Sequence, residues 1–218
     1  MHEWAIEARE YARHEARRGR RHAYEQIDPM HTALVVIDMV PFFLDENPYA
    51  LGIVGNIARL ADELRSVGGT VAWVVPRPGS PTPTAVEFFG HEVADRYARS
   101  GGDGPPRDRV AAEFELNAAD IVVEKSAPSA FFPGRCELPE RLGECEVDTV
   151  LIAGTVANVC CESSARDAST LGYRVIMVAD ANAAMRDQDL NSTLHTIYRS
   201  FGDVRTTEDV IDLVDLGS

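Results

Sequence analysis

Three residue types suited to acyl-transfer chemistry stand at the ends of apolar runs. Asp38 closes Thr32-Ala33-Leu34-Val35-Val36-Ile37-Asp38, and Lys125 follows the run 121–123. Cys160 lies six residues beyond Gly154, which ends Val150-Leu151-Ile152-Ala153-Gly154. A helical pattern starts near Cys160, so its thiol would sit at the positive end of a helix dipole, where a thiolate is favoured. A carboxylate can take the thiol proton as general base. An ammonium group favours both the carboxylate and the thiolate by charge. Backbone N–H groups of a tight turn and helix start can hold an oxyanion. Each residue alone has an ordinary reading. Asp38 could cap a turn, Lys125 could be solvated, and Cys160 could be packing. Their joint position at three strand ends is what points to a site.

The elements that must position this trio follow from periodicity. Short β-branched runs at 32–38, 70–75, 121–123, 147–153 and 173–179 read as strands buried on both faces. A final short strand is expected at 203–205. Helical spacing covers 53–67, 138–142, 159–171, 189–201 and 207–213, with Gly68-Gly69 and Gly172 as stop signals. This alternation predicts an α/β fold, a three-layer αβα sandwich around a mostly parallel sheet of about six strands. In such sheets ligands bind beyond the carboxyl ends of the strands, which is where the trio falls. The Pro- and Gly-rich segment 76–106 is the one long irregular stretch, with a helical piece expected at 86–98. A loop of that length reads as a lid or a mobile segment. Residues 1–28 read as a helical arm and 29–218 as the main domain. The arm places Arg9, Arg13 and Arg17 among Glu3, Glu7, Glu10 and Glu15, the pattern of a solvated, salt-linked helix or of an arm on a neighbouring subunit.

Composition excludes several partners. The chain has 218 residues, 45% hydrophobic and 26% charged, with a net charge of −14. Nucleic acid and anionic membranes both call for a basic face. No apolar run has the length of a membrane span, and charges interrupt the beginning of the chain, so no signal peptide is expected. The four cysteines, Cys136, Cys145, Cys160 and Cys161, have neither a disulfide framework nor zinc spacing. A reducing cytoplasm is the expected setting.

From Ala33 to Val178 the chain resembles the isochorismatase-like cysteine hydrolases, which include nicotinamidases, N-carbamoylsarcosine and ureidoacrylate amidohydrolases and streptothricin hydrolase. The matching residues are Val35-Val36-Ile37-Asp38-Met39, Glu124-Lys125-Ser126-Ala127-Pro128-Ser129-Ala130-Phe131, the stretch from Gly154 to Ala168, and Gly172-Tyr173. The resemblance implies a catalytic triad of Asp38, Lys125 and Cys160. It selects Cys160 over Cys161, which falls at a position of small apolar packing. It implies a non-proline cis peptide at Thr155–Val156 and an oxyanion hole from the N–H groups of Val156 and Cys160. It also implies a small-molecule amide substrate, no cofactor, and a homodimer or homotetramer.

The chain departs from its relatives in two places. Many relatives carry Gln two residues after the aspartate; here that position is Val40. Nicotinamidases add a metal site from an Asp and two close His after the second strand, and the region 76–91 has no such pair. No catalytic metal is expected, and nicotinamide is disfavoured. The vinyl-ether reaction is disfavoured too, because true isochorismatases lack the cysteine. Phe42, Phe43, Phe131 and Phe132 flank the strand ends; most are expected in the core, with Phe43 and Phe131 the candidates for pocket walls. Asp45 and Glu46 would favour a cationic substrate, such as a streptothricin-like lactam, if they face the pocket. Glu162 and Arg166 read as an i,i+4 ion pair, Asn158 as a turn-fixing side chain and Asp180 as a turn-holding one. The rival readings are a noncatalytic scaffold of the same fold and a redox-sensing pair Cys160–Cys161.

Overall fold

In β1 (Thr32–Ile37) every side chain is buried, yet alternate residues serve different cores. Ala33, Val35 and Ile37 join one apolar cluster, and Leu34 and Val36 join the other. That is what period-2 alternation requires of a strand covered on both faces. The computed structural model describes residues 1–217. The chain runs α1 (Ala8–Arg18), β1, α2 (Pro41–Glu46), α3 (Ala50–Ser66), β2 (Thr70–Pro76), α4 (Pro83–Phe89), α5 (His91–Ala98) and β3 (Ile121–Lys125). It continues α6 (Leu138–Glu144), β4 (Thr149–Thr155), α7 (Glu162–Thr170), β5 (Arg174–Ala183), α8 (Asp187–Ser200), β6 (Asp203–Arg205) and α9 (Thr207–Gly217).

The six strands pair in the order β3-β2-β1-β4-β5-β6, and every pairing is parallel. Helix α3 buries Ile53, Ile57, Leu60, Ala61 and Leu64, a stripe at helical spacing. With Val210, Ile211, Leu213 and Val214 of α9 it covers one sheet face. Leu138 and Leu142 of α6, Ala165 and Ala168 of α7, and Leu190, Leu194 and Ile197 of α8 cover the other. Each fully buried Leu or Ile contributes about 1.5–3 kcal/mol by leaving water, so the two layers hold the sheet from both sides. The expected three-layer fold is the observed one. Connections leave β1 toward β2 on one side and β4 on the other, which opens a crevice at the carboxyl ends of the central strands.

Several expectations need correction. The helical piece anticipated at 86–98 is two helices, because Gly90 takes φ +79 between α4 and α5. The helix anticipated at 159–171 begins as a wide π turn over Ala157–Cys161 and becomes α-helical only at Glu162. The strand 173–179 runs on to Ala183, with a register irregularity opposite Ile152–Gly154. Helix α2 carried no periodic signal.

Residues 1–28 keep the expected solvated, salt-linked face, with Arg9 on Glu7 at 2.7 Å and Arg21 on Glu15 at 3.5 Å, but they also pack on the domain through a few buried side chains. Ile6 is buried in the core, and Glu10 and His14 are buried within α1. Tyr11 and His14 set their rings edge-on to Tyr198, with centroids 5.2 and 4.9 Å away. Further on, the Ala23 N–H donates to Asp203, and Arg205 and Arg174 donate to the carbonyls of Tyr24 and Gln26. The charge pattern describes one face of α1; the buried face is carried by a few residues whose periodicity the charges conceal.

Candidate active site

The first member is placed by a backbone turn. Directly after β1, Asp38 adopts φ +56, the left-handed region that acidic and amide residues enter more readily than most. Its N–H still donates to Val74 O of β2 at 2.9 Å. The carboxylate is fully buried at the sheet's carboxyl edge. The second member comes from β3, whose Lys125 pairs in register with Pro76 of β2. Only a long side chain could cross the end of β2 from there. Lys125 Nζ lies 2.9 Å from Asp38 Oδ2, 3.4 Å from Cys160 Sγ and 3.2 Å from Ala127 O.

The third member depends on Gly154. It pairs with Ile37, has φ +120, and a Cβ there would lie 2.1 Å from Ile37 O. A side chain would push β4 away from β1 at the very point where the site forms. The Thr155–Val156 peptide is cis, and the chain then enters the π turn. Among the described residues the Val156 carbonyl accepts from the N–H groups of Val159 (3.0 Å) and Cys161 (3.4 Å), and the Cys160 N–H is not among its donors. π turns of this kind cluster at functional sites.

Electrostatics depart from the simple dipole expectation. The Cys160 thiol is pushed up to about 12, chiefly by burial and then by the Asp38 charge, with Lys125 opposing. Burial likewise raises the Asp38 carboxyl, against the pull of Lys125. For Lys125 burial disfavours the ammonium, but Asp38 and Cys160 together outweigh it, and its pKa is raised. These directions favour an ammonium on Lys125 and a neutral thiol on Cys160 over a standing thiolate. The donors that face the buried Asp38 carboxylate are two side chains, the Lys125 ammonium at 2.9 Å and the Cys160 thiol, and among the described residues no backbone N–H joins them. A buried carboxylate so thinly satisfied is a stronger base than one saturated with donors.

The other candidates sort as follows. Cys161 is fully buried and its thiol is held well above its ordinary range by burial, the behaviour of packing. Phe43 is half-buried on α2, edge-on to Phe42 at 5.0 Å. Phe131, the other candidate pocket wall, is enclosed on all sides and packs edge-on against Tyr173 at 5.5 Å, so it is a core residue. Glu46 is engaged by Arg96 of α5 at 3.4 Å, and Asp45 is exposed. Arg166 pairs with Glu162 at 2.6 Å, as the spacing predicts. Asp180 accepts from the N–H and hydroxyl of Thr207 at 2.7 and 2.8 Å, which holds the start of α9.

Asn158 is exposed and, among the described residues, makes no side-chain hydrogen bond, so it does not fix the turn. Asn47 does that instead. It is buried, donates from Nδ2 to Thr155 Oγ1 at 3.0 Å, and accepts the Tyr49 N–H on Oδ1 at 3.0 Å. Thr155 in turn donates to Ala183 O at 3.3 Å. Ser164, fully buried, was also missed. It donates to Cys160 O at 2.7 Å and accepts the Ala130 N–H at 2.9 Å, tying the nucleophile turn to the chain after Lys125. No local pattern marks either residue, because the partners that give them these roles, Thr155 for Asn47 and Ala130 for Ser164, lie far away in sequence.

With this geometry in hand, the comparisons with known proteins carry weight. The isochorismatase domain family matches residues 32–209. The isochorismatase family protein YwoC of Bacillus subtilis is 31% identical over 86% of this chain and 96% of its own. Nicotinamidase 3 of Arabidopsis thaliana is 29% identical over 78% of this chain and 81% of its own. The crystal structure of a cysteine hydrolase from Pseudomonas syringae pv. phaseolicola superposes with a TM-score of 0.80 at 27% identity, covering 90% of this chain and 98% of that one.

Proposed function

This chain belongs to the isochorismatase family, and from that premise we propose that it is a metal-independent cysteine amidohydrolase that cleaves a C–N amide bond of a small molecule. The observation that carries the reading is the position of one ammonium between two acids. Lys125 Nζ contacts Asp38 Oδ2 and Cys160 Sγ together, with all three side chains buried.

That geometry lets one proton move without leaving a charge uncompensated. Asp38 accepts the Cys160 thiol proton, the negative charge passes from oxygen to sulfur, and the same ammonium faces it before and after. The cost of a high thiol pKa is thereby met only when a substrate is present to be attacked. The thiolate adds to the amide carbon. The N–H groups of Val156 and Cys160 receive the developing oxyanion. Asp38, now protonated, gives its proton to the departing nitrogen as the C–N bond breaks and a thioester remains. Asp38 then takes a proton from water, the hydroxide adds to the thioester carbon, and Cys160 leaves as thiol after reprotonation. Phe43, beside this edge on α2, is assigned as a wall of the substrate pocket.

The same steps split a linear amide or ureido group, or open a lactam whose nitrogen stays tethered. The nicotinamidase among the relatives does not extend to nicotinamide here, because residues 76–91 lack the Asp and His set described above. With Glu46 held by Arg96, the support for a cationic substrate reduces to Asp45. A panel of amides, ureido acids and lactams, read by ammonia release and mass spectrometry, should give one class with turnover. On that substrate Cys160→Ala should lower kcat by about 10⁴-fold or more, and the wild type should show an acyl-enzyme mass in rapid quench. Full hydrolysis by Cys160→Ala would overturn the reading.

A further inference from the structure

Thr155, the residue that opens the nucleophile turn, is held by two partners, and both are braced by one residue of the leading segment. Its hydroxyl accepts from Asn47 and donates to Ala183 O. Two residues past Asn47, Tyr49 stacks on the His2 ring with centroids 3.7 Å apart and planes 20° apart. One residue past Ala183, the Ala184 N–H donates to His2 Nε2 at 3.0 Å. The other ring nitrogen, Nδ1, lies 2.7 Å from Asp187 Oδ1 at the start of α8. Asn191 holds the rest of the segment by bonding the Ala5 N–H and the Glu3 carbonyl.

We infer that His2 is a positioning residue, clamping Tyr49 and Ala184 so that Asn47 and Ala183 keep the Thr155 turn in place, and that protonation of His2 releases the clamp. The catalytic meaning of that turn rests on the reading given above; the clamp itself does not. The reason is the occupancy of the ring. An imidazole that accepts a backbone N–H on Nε2 must carry its proton on Nδ1, where it donates to Asp187. A second proton would land on Nε2 and face the Ala184 N–H, donor against donor. Histidine is the side chain that undergoes this change between about pH 5 and 8.

The charged groups facing the ring come from several elements. Asp187 of α8 bonds it. Asp180 of β5, which lines the same void as His2, is engaged by Thr207. Protonation would take from the Ala184 N–H the acceptor it now has on Nε2. A void of about 50 Å³ under the segment, bounded by His2, Trp4, Ile53, Asp180 and Asn182, leaves this layer less tightly packed than the core.

The test compares wild type, His2→Ala and His2→Gln by hydrogen exchange and by kinetics. Gln can accept and donate as the neutral ring does, yet it does not titrate. At about pH 8, His2→Ala should raise exchange at the Ala184 and Tyr49 amides by about tenfold and lower kcat several-fold with little change in KM. His2→Gln should stay near wild type in both. At about pH 5.5 the wild type should exchange like His2→Ala, while His2→Gln keeps its protection. Unchanged exchange in His2→Ala, or an identical acid response in wild type and His2→Gln, overturns the clamp. Exchange that responds as stated while kcat does not would retain the clamp and remove its link to catalysis. If Cys160→Ala remains active, the amidohydrolase reading fails, and the exchange data still judge the clamp.

Discussion

Two buried aspartates sit at opposite ends of the sheet and serve opposite ends. Asp120 immediately precedes β3 and is saturated: Arg65 donates from Nε at 3.1 Å and Nη2 at 2.6 Å, Trp73 Nε1 at 2.9 Å, and the Asn117 N–H at 3.0 Å. Asp38, at the carboxyl end of β1, is buried more completely and, among the described residues, is faced by only two side-chain donors, the Lys125 ammonium and the Cys160 thiol. A carboxylate surrounded by donors is locked in its charged form and braces the structure. One left short of donors is free to accept a proton and is costly to keep. Burial is common to both; hydrogen-bond satisfaction separates the brace from the base.

The largest effect that could break this contrast is Asp38→Asn. It should lower kcat/KM by about 10³–10⁴-fold, the scale of losing an essential proton carrier. Near-normal turnover in that variant would show that Asp38 is a second brace. The converse substitution, Asp120→Asn, should leave kcat/KM within about twofold yet cost about 1–3 kcal/mol of stability, because it removes the buried charge partner of Arg65 and turns one acceptor into a donor facing the donors around it. Urea unfolding at neutral pH measures this, and a loss of turnover with intact stability would reverse the assignment.

The smallest effect sharpens the electrostatics. Cys160 is held up to about 12 by burial, above the thiol range of the unfolded chain, so the folded state keeps its proton more tightly. A raised folded value means that this contribution is fully present below the unfolded thiol range and is lost as pH rises through the folded one. Between pH 8 and 10 the wild type should therefore lose about 2 kcal/mol that Cys160→Ala does not lose. Equal losses in urea titrations of the two proteins would show that the thiol is not held protonated.

Much of this molecule was legible in order and spacing. The β-branched runs specified doubly covered strands, because apolar residues at both even and odd positions leave no face for water. The runs ended in Asp38, before Lys125, and at Gly154, so three strand ends could be named before any coordinate. The gaps have physical causes as well. In α1, charges at helical spacing masked the buried residues Glu10 and His14, since burial there depends on what lies beneath. Phe131 and Phe43 look alike in sequence, but one faces a neighbouring helix layer and the other the rim. Asn47 and Ser164 gained their roles from partners more than thirty positions away.

By itself the sequence determined the alternating α/β layers, the identity of the acid, the amine and the thiol, and the glycine that lets β4 approach β1. These depend on local periodicity, residue chemistry and backbone freedom, all of which are properties of neighbours in the chain. Only the tertiary structure decided the state of the trio. It put one ammonium within reach of both acids, left Asp38 with few donors, and buried Cys160, which favours the protonated thiol. It also laid residues 1–7 against the rim, where His2 meets Tyr49 and Ala184. Desolvation and hydrogen-bond direction depend on everything packed around a group, and no stretch of sequence contains its own surroundings.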